Sequence, residues 1–265
     1  MSQAIAQAFA RARQAGRAAF IPFLSGGLPD MRTSAQLLLE LDRAGADIIE
    51  VGIPFSDPMA DGPVIQEASK RALDAGATPV GVLEMIAGLK GRMQAPVVVM
   101  TYYNPMLNLG LEGFARQAVA CGVAGVIVPD LPPEEAGVWL AAARTAGLGT
   151  IFMAAPTTPD ERLPRLLQCC SGFLYYVSMT GVTGAGLNLD PEVLAGIARV
   201  RSAAGMPVAV GFGVAQASQA AALGRVADGV IVGSALVKLV LQAATPAAAL
   251  RAVGGLAQEL RAALG

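Results

Sequence analysis

The stretch Arg43-Ala44-Gly45-Ala46-Asp47-Ile48-Ile49-Glu50-Val51-Gly52-Ile53 reads as the end of a helix, a glycine turn and a buried strand. Gly45 stands where a helix C-cap needs a residue that accepts positive φ, and the apolar run after it has the length of a strand rather than a helix. The same junction recurs at Ala120-Cys121-Gly122-Val123, Thr145-Ala146-Gly147-Leu148 and Ala203-Ala204-Gly205-Met206. Eight runs of strand character lie at residues 19–24, 47–53, 97–102, 125–129, 150–154, 173–178, 208–213 and 229–232, separated by stretches rich in Ala, Leu, Arg and Glu. Eight repeats of strand, loop, helix and glycine turn predict an α/β fold. The expected form is a (β/α)8 TIM barrel with an additional N-terminal helix, a single domain over residues 1–265. A doubly wound open sheet is the runner-up. The count of eight argues against it, as does the lack of a Gly-x-Gly-x-x-Gly segment opening a helix after the first strand.

Composition narrows the function classes. The 265 residues are 54% apolar and 15% charged, with a net charge of −1. No run approaches the roughly 18 consecutive apolar residues of a membrane span. The first sixteen residues read as an Ala-rich amphipathic helix, with Ile5 and Phe9 four apart and Arg11, Arg13 and Arg17 following. They lack a contiguous hydrophobic signal core, so this helix is expected to be part of the mature fold. No Lys/Arg cluster is interleaved with aromatics, which gives no case for nucleic acid. Cys121, Cys169 and Cys170 suit neither a disulfide framework nor a metal site, and read as reduced packing thiols of a cytoplasmic protein.

In the second strand, Ile48, Glu50 and Gly52 share one face while Ile49, Val51 and Ile53 take the other. Both faces are apolar apart from Glu50. A lone carboxylate there is costly to ionise, so its pKa should rise toward neutrality. Such an acid is either a proton carrier or a structural group held by an arginine or a backbone amide. The chain has no histidine, so acid–base chemistry falls to carboxylates, tyrosines or thiols. The loop that follows, residues 54–63, adds Asp57 and Asp61; Asp61, beside Gly62 and Pro63 on a more exposed loop, is expected to stay ionised.

If the chain is a barrel, the loops after the strand C-termini form the catalytic face. Gly211 and Gly213 follow the seventh strand, and Gly233 and Ser234 the eighth. Barrels of this class bind phosphate there, at the N-terminus of a short helix. Ser234 is expected to be the N-cap of a helix over 235–240, with Gly184 closing a third side of the cradle. Lys238, about one turn further, reads as a solvated helix residue. The run Tyr102-Tyr103-Asn104-Pro105-Met106-Leu107-Asn108-Leu109 either exposes an apolar surface for a protein partner or folds inward as a short helical stub.

Glu50, Gly52-Ile53-Pro54-Phe55-Ser56-Asp57-Pro58, Ala60-Asp61-Gly62-Pro63, Gly181-Val182-Thr183-Gly184, Gly211-Phe212-Gly213 and Gly233-Ser234 occur in that order. In these motifs, and over nearly its whole length, the chain resembles the alpha subunits of tryptophan synthase. The resemblance implies retro-aldol cleavage of indole-3-glycerol phosphate to indole and glyceraldehyde 3-phosphate. Glu50 would protonate indole C3 and help remove the glycerol hydroxyl proton, and Asp61 would accept the indole N–H. Phe23, Met100, Ile127, Met153 and Phe212 would line the indole pocket. Tyr175 matches an active-site tyrosine, though a core aromatic reads equally well. Gly184, Gly213, Gly233 and Ser234 would hold phosphate, and Asp57 and Thr183 would meet when the loops at 55–63 and 181–190 close. Met179 and Thr180 stand just before Gly181, where some members carry a basic residue, so the resemblance implies no closed-state contact of that charge here. The implied partner is the pyridoxal-phosphate-dependent beta subunit, in an alpha2beta2 hetero-tetramer, with no cofactor in this chain. A stand-alone indole-3-glycerol phosphate lyase, a non-catalytic regulatory subunit and a phosphosugar isomerase are the alternatives.

Overall fold

The computed structural model describes residues 2–177, 191–211 and 213–265. Eight parallel strands close into a barrel in sequence order: β1 (Ala19–Ser25), β2 (Ile49–Gly52), β3 (Val97–Met100), β4 (Val123–Ile127), β5 (Gly149–Ala154), β6 (Leu174–Val177), β7 (Val208–Gly211) and β8 (Gly229–Val232). Closure is made by β1 against β8, with Ala19 paired to Gly229 and Pro22 to Val232. Helices alternate with the strands and cover the outside. The expected barrel is therefore the observed one. Strand boundaries differ mainly where the predicted runs extend past the last ladder bond into the catalytic-face loops.

The glycines of the repeated junctions do what their positions require. Gly45, Gly122, Gly147 and Gly205 all have positive φ, between 59° and 92°, a region that costs any residue with a Cβ.

Side-chain alternation divides the core in two. On β2, Ile49 and Val51 pack outward against the helices, in the larger cluster. Ile48 points into the barrel with Ala19, Ile21, Val98, Ile127, Ile151, Phe173, Tyr175, Ala209 and Ile231. The helix Gln3–Gln14 closes the N-terminal end of this inner core: its buried residues are Ile5, Ala8, Phe9 and Ala12, one face of a 3.6-residue period. Phe9 and Phe173 stack with ring centroids 5.5 Å apart. A Cβ on Gly125 would lie 2.9 Å from Ile5, and one on Gly229 would lie 3.0 Å from Phe9, so small residues on β4 and β8 admit the plug.

The starts of β1 and β2 are tied by a buried ion pair. Arg17 donates from both terminal nitrogens to Asp47, at 2.6 and 2.9 Å, and Asp47 also accepts the Phe20 N–H at 2.8 Å. A bidentate guanidinium–carboxylate pair fixes orientation as well as distance. With one end of the barrel plugged and stapled, the open cavity lies at the other, where the strand C-termini stand.

Candidate active site

A cavity of about 630 Å³, mouth included, sits at the C-terminal ends of the strands. Its walls combine inward positions of several strands with the loops that follow them. From the expected site it holds Phe23, Glu50, Asp61, Met100, Met153, Tyr175, Gly213, Gly233 and Ser234. Thr183, Gly184, Met179, Thr180 and Phe212 lie outside the described residues, so the Asp57–Thr183 latch and the third side of the cradle do as well. Asp57 itself is exposed, accepting a 2.5 Å hydrogen bond from the Ser56 hydroxyl.

Glu50 is 1% exposed, and its Oε2 is buried with no hydrogen-bond partner. Among the described residues no arginine or backbone amide holds it, the partner that the structural reading requires. Burial, helped by the nearby charge of Asp61, pushes its pKa up to about 8, so the group carries a proton at pH 7. A buried carboxylate oxygen without a partner, opening on a cavity, is a place to look for an incoming group.

Asp61 departs from expectation. The loop that carries it folds over the cavity through turn hydrogen bonds, Met59 N–H to Asp57 at 2.9 Å and Asp61 N–H to Pro58 at 3.1 Å. The side chain is therefore only partly solvated, and burial raises its pKa to about 6 despite an opposing hydrogen bond from the Tyr102 hydroxyl. Asp61 is still largely ionised at pH 7, with a margin of about one unit rather than three. The two acids sit in one cavity with pKa values of about 8 and 6, the separation that lets one donate while the other stays charged.

Tyr102 opens the run that the sequence leaves open between an exposed surface and an inward stub. It is buried, accepts the Ala60 N–H at 2.9 Å and packs on Phe55 with ring centroids 5.3 Å apart. It therefore fastens the Asp61 loop to the end of β3. Burial first, and the charge of Asp61 second, hold its own pKa far above the usual phenol range, so it remains a donor. The run it opens forms the helix Tyr103–Leu109, with Pro105 and Met106 buried and only Leu107 among its large apolar side chains well exposed. The inward stub is the observed form, and the expected broad apolar surface is reduced to its tip.

Tyr175 points into the barrel from β6, with its hydroxyl over Gly211 of the neighbouring β7. A Cβ on Gly211 would fall 2.5 Å from its hydroxyl oxygen, so glycine at 211 is what leaves room for the phenol. Burial and the charges of Glu50 and then Asp61 push its pKa well up, keeping it protonated. On β2, a Cβ on Gly52 would meet the Phe23 ring at 2.7 Å, so that glycine lets the ring lie against the mouth beside Glu50.

Two expected placements shift. Ile127 is fully buried in the inner core and does not line the cavity; Pro129, two residues nearer the mouth on the same chain segment, takes that wall. Ser234 is the first residue of the helix Ser234–Gln242, with Gly233 as N-cap and no side-chain cap. The free N–H groups of that first turn are backbone donors with the positive end of the helix dipole behind them. Ile65, Val214 and Ile231 also line the cavity and were not anticipated. Ile231 was legible by period 2 from Gly233, whereas Ile65 arrives from the helix Pro63–Asp74, which no strand rule reaches.

Two acids with separated pKa values at the C-terminal ends of barrel strands put the chain among the TIM-barrel acid–base enzymes. Residues 9–264 match the family model described as tryptophan synthase alpha chain, and the chain belongs to that family. A tryptophan synthase alpha chain of Prochlorococcus marinus (strain MIT 9313) is 46% identical over 264 residues, covering 98% of this chain and 95% of its own. One from Caulobacter sp. (strain K31) is 49% identical over 230 residues, covering 86% and 84%. Among solved structures, a chain of Mycobacterium tuberculosis tryptophan synthase superposes with a TM-score of 0.89 at 40% identity, covering 98% of this chain and 97% of that one. The alpha subunit from Legionella pneumophila str. Paris gives 0.90 at 36% identity, covering 98% of each. The chain is a lyase of tryptophan biosynthesis that cleaves indole-3-glycerol phosphate.

Proposed function

We propose that Glu50 and Asp61 divide the chemistry of this cleavage between them. Glu50, neutral at pH 7, delivers its proton to indole C3. The ring is then an indolenine-like cation, and ionised Asp61 accepts the indole N–H and stabilises that charge. Glu50, now a carboxylate, takes the glycerol hydroxyl proton as the carbon–carbon bond breaks. Its electron pair returns to the ring as indole, and the hydroxyl carbon leaves as the aldehyde of glyceraldehyde 3-phosphate. The buried, unpartnered Oε2 of Glu50 carries this reading, because its pKa of about 8 makes both halves of the proton cycle accessible near neutrality.

Phe23, Met100, Met153 and Ile231 form the apolar walls for the indole ring. Tyr175, protonated and beside Glu50, donates within the site. Gly213, Gly233 and the first turn at Ser234 hold the phosphate through backbone N–H groups. Asp57 closes the loop against Thr183. Tyr102 is a positioning residue for Asp61.

The partner in this reading is a beta subunit, two of each chain forming a hetero-tetramer and indole passing between them. Met59, 91% exposed on the loop after β2, and Leu107, 47% exposed on the helix Tyr103–Leu109, offer apolar contacts on the catalytic face. Pyridoxal phosphate belongs to that subunit, and the assembly works in the cytoplasm. No helix among the described residues is long and apolar enough to cross a membrane. The test is to supply indole-3-glycerol phosphate to the purified chain, with and without a beta subunit, and follow indole. Weak activity alone and a large rise on adding the partner are expected. Strong activity alone that the partner leaves unchanged overturns the subunit reading, and none under either condition overturns the catalytic one.

A further inference from the structure

At the plugged end of the barrel, opposite the catalytic mouth, four arginines from different parts of the chain converge on one groove. Arg13 comes from the last turn of the helix Gln3–Gln14, Arg17 from the lead into β1, Arg201 from the last turn of the helix Pro191–Ala204, and Arg225 from the C-cap of the helix Ala217–Gly224. Among the described residues, Asp228 is the one acid lining it. Both Asp228 oxygens are already engaged, by Arg201 at 2.8 Å and by the Val208 N–H at 2.9 Å. With Arg17 paired to Asp47 and Arg201 to Asp228, the uncompensated positive charge of the groove is that of Arg13 and Arg225.

The structural demands on these arginines do not use them up. A cation near a helix C-terminus is favoured by the dipole, which accounts for Arg13, Arg201 and Arg225 one at a time. It does not account for Arg17. That side chain is only 9% exposed; its terminal nitrogens are spent on Asp47 and the Ala18 carbonyl, and its Nε is buried with no hydrogen-bond partner among the described residues. A buried charged donor left without an acceptor is costly, and this one belongs to a residue lining the groove. Exposed Arg13 and Arg225 flank it, and neither forms an ion pair among the described residues. The floor is apolar, with Phe9, Ala18 and Pro207.

We infer that this groove is a second anion site, binding the phosphate group of a phosphorylated small molecule. The group's oxygens would accept from Arg17 Nε and from the free guanidinium donors of Arg13 and Arg225. A phosphate has the charge and the several acceptors that such a set of planar forks suits. The inference is independent of how the catalytic cavity works.

The probe is inorganic pyrophosphate, titrated calorimetrically into the full chain. The Gly233→Asp variant silences the phosphate cradle at the catalytic mouth, so that only the groove is read. Gly233→Asp should still bind about one equivalent. Adding Arg13→Ala and Arg225→Ala, both at exposed positions, should weaken that binding at least about tenfold. Loss of all binding in Gly233→Asp, or binding that ignores the two arginine substitutions, overturns the site. A second readout needs no variant to bind: in the chain labelled with 15N-arginine, the Arg17 Nε resonance, assigned with Arg17→Lys, should move on adding pyrophosphate. A resonance that stays in place while pyrophosphate binds also overturns it. The double substitution Arg13→Ala/Arg225→Ala should leave turnover of indole-3-glycerol phosphate unchanged in the absence of the anion.

Discussion

Burial holds the proton on Glu50, whereas Asp61, raised by burial only to about 6 with the Tyr102 hydroxyl opposing, keeps its charge at pH 7. The catalytic-face acids thus have opposite resting states. In the rate profile, kcat/KM should rise as Asp61 loses its proton near pH 6 and fall as Glu50 loses its own near pH 8, with both limbs belonging to the coupled pair. Glu50→Gln and Asp61→Asn should each lower turnover at least about 100-fold. In Asp61→Asn the residual activity should lose the rising limb. Its falling limb should move to lower pH, because the charge that helps keep Glu50 protonated is gone. A bell unchanged in Asp61→Asn would remove Asp61 from its role. Glu50 was readable from alternation alone, since a strand buried on both faces with one acid in it has few explanations. The raised pKa of Asp61 was not, because it depends on how a loop folds back on the cavity, which no local pattern encodes.

At the scale of elements, the site depends on which strand positions lack a Cβ. Gly211 on β7 leaves space for the Tyr175 hydroxyl from β6, and Gly52 on β2 for the Phe23 ring from β1. Gly211→Ala would place a methyl 2.5 Å from the Tyr175 oxygen, 3.0 Å from its ring carbon and 3.1 Å from Ile231. Overpacking of this kind costs about 1–3 kcal/mol. Urea denaturation should show that loss, and Tyr175→Phe in the same chain should recover part of it by removing the hydroxyl. No recovery would mean that the crowding lies with Ile231. The eight strands were legible because each is a short apolar run between a glycine turn and a loop. Ile127 was misplaced for a reason of the same scale. Period 2 says which side chains face inward but not how deep, and on β4 the inner-core layer takes Ile127 while Pro129 meets the cavity. The run after β3 was open between two forms, and the barrel rim decided it by burying Tyr102, Pro105 and Met106.

Across the whole molecule, carrying a neutral acid in the barrel has a cost that depends on pH. Glu50 titrates at about 8 in the fold against 4.5 for a free side chain. Between those values the folded chain holds a proton that the unfolded chain has released, so stability falls as pH rises from about 4.5 and levels above about 8. Asp61 acts in the same direction between 3.8 and about 6. Glu50→Gln should therefore match the parent chain in urea at pH 4 and exceed it at pH 9, by a few kcal/mol at most on the order-of-magnitude scale of such shifts. Equal midpoints at both pH values would mean that Glu50 is not desolvated as described. The sequence by itself determined the barrel, the plug helix, the buried acid on β2 and the glycine tips on the last loops. Each of these is written in a local period or in the conformational freedom of a glycine. Only the tertiary structure decided the pKa of Asp61, the inward turn of Tyr102 and the convergence of Arg13, Arg17, Arg201 and Arg225. Desolvation and charge proximity are properties of groups far apart along the chain, and closing the barrel is what brings them together.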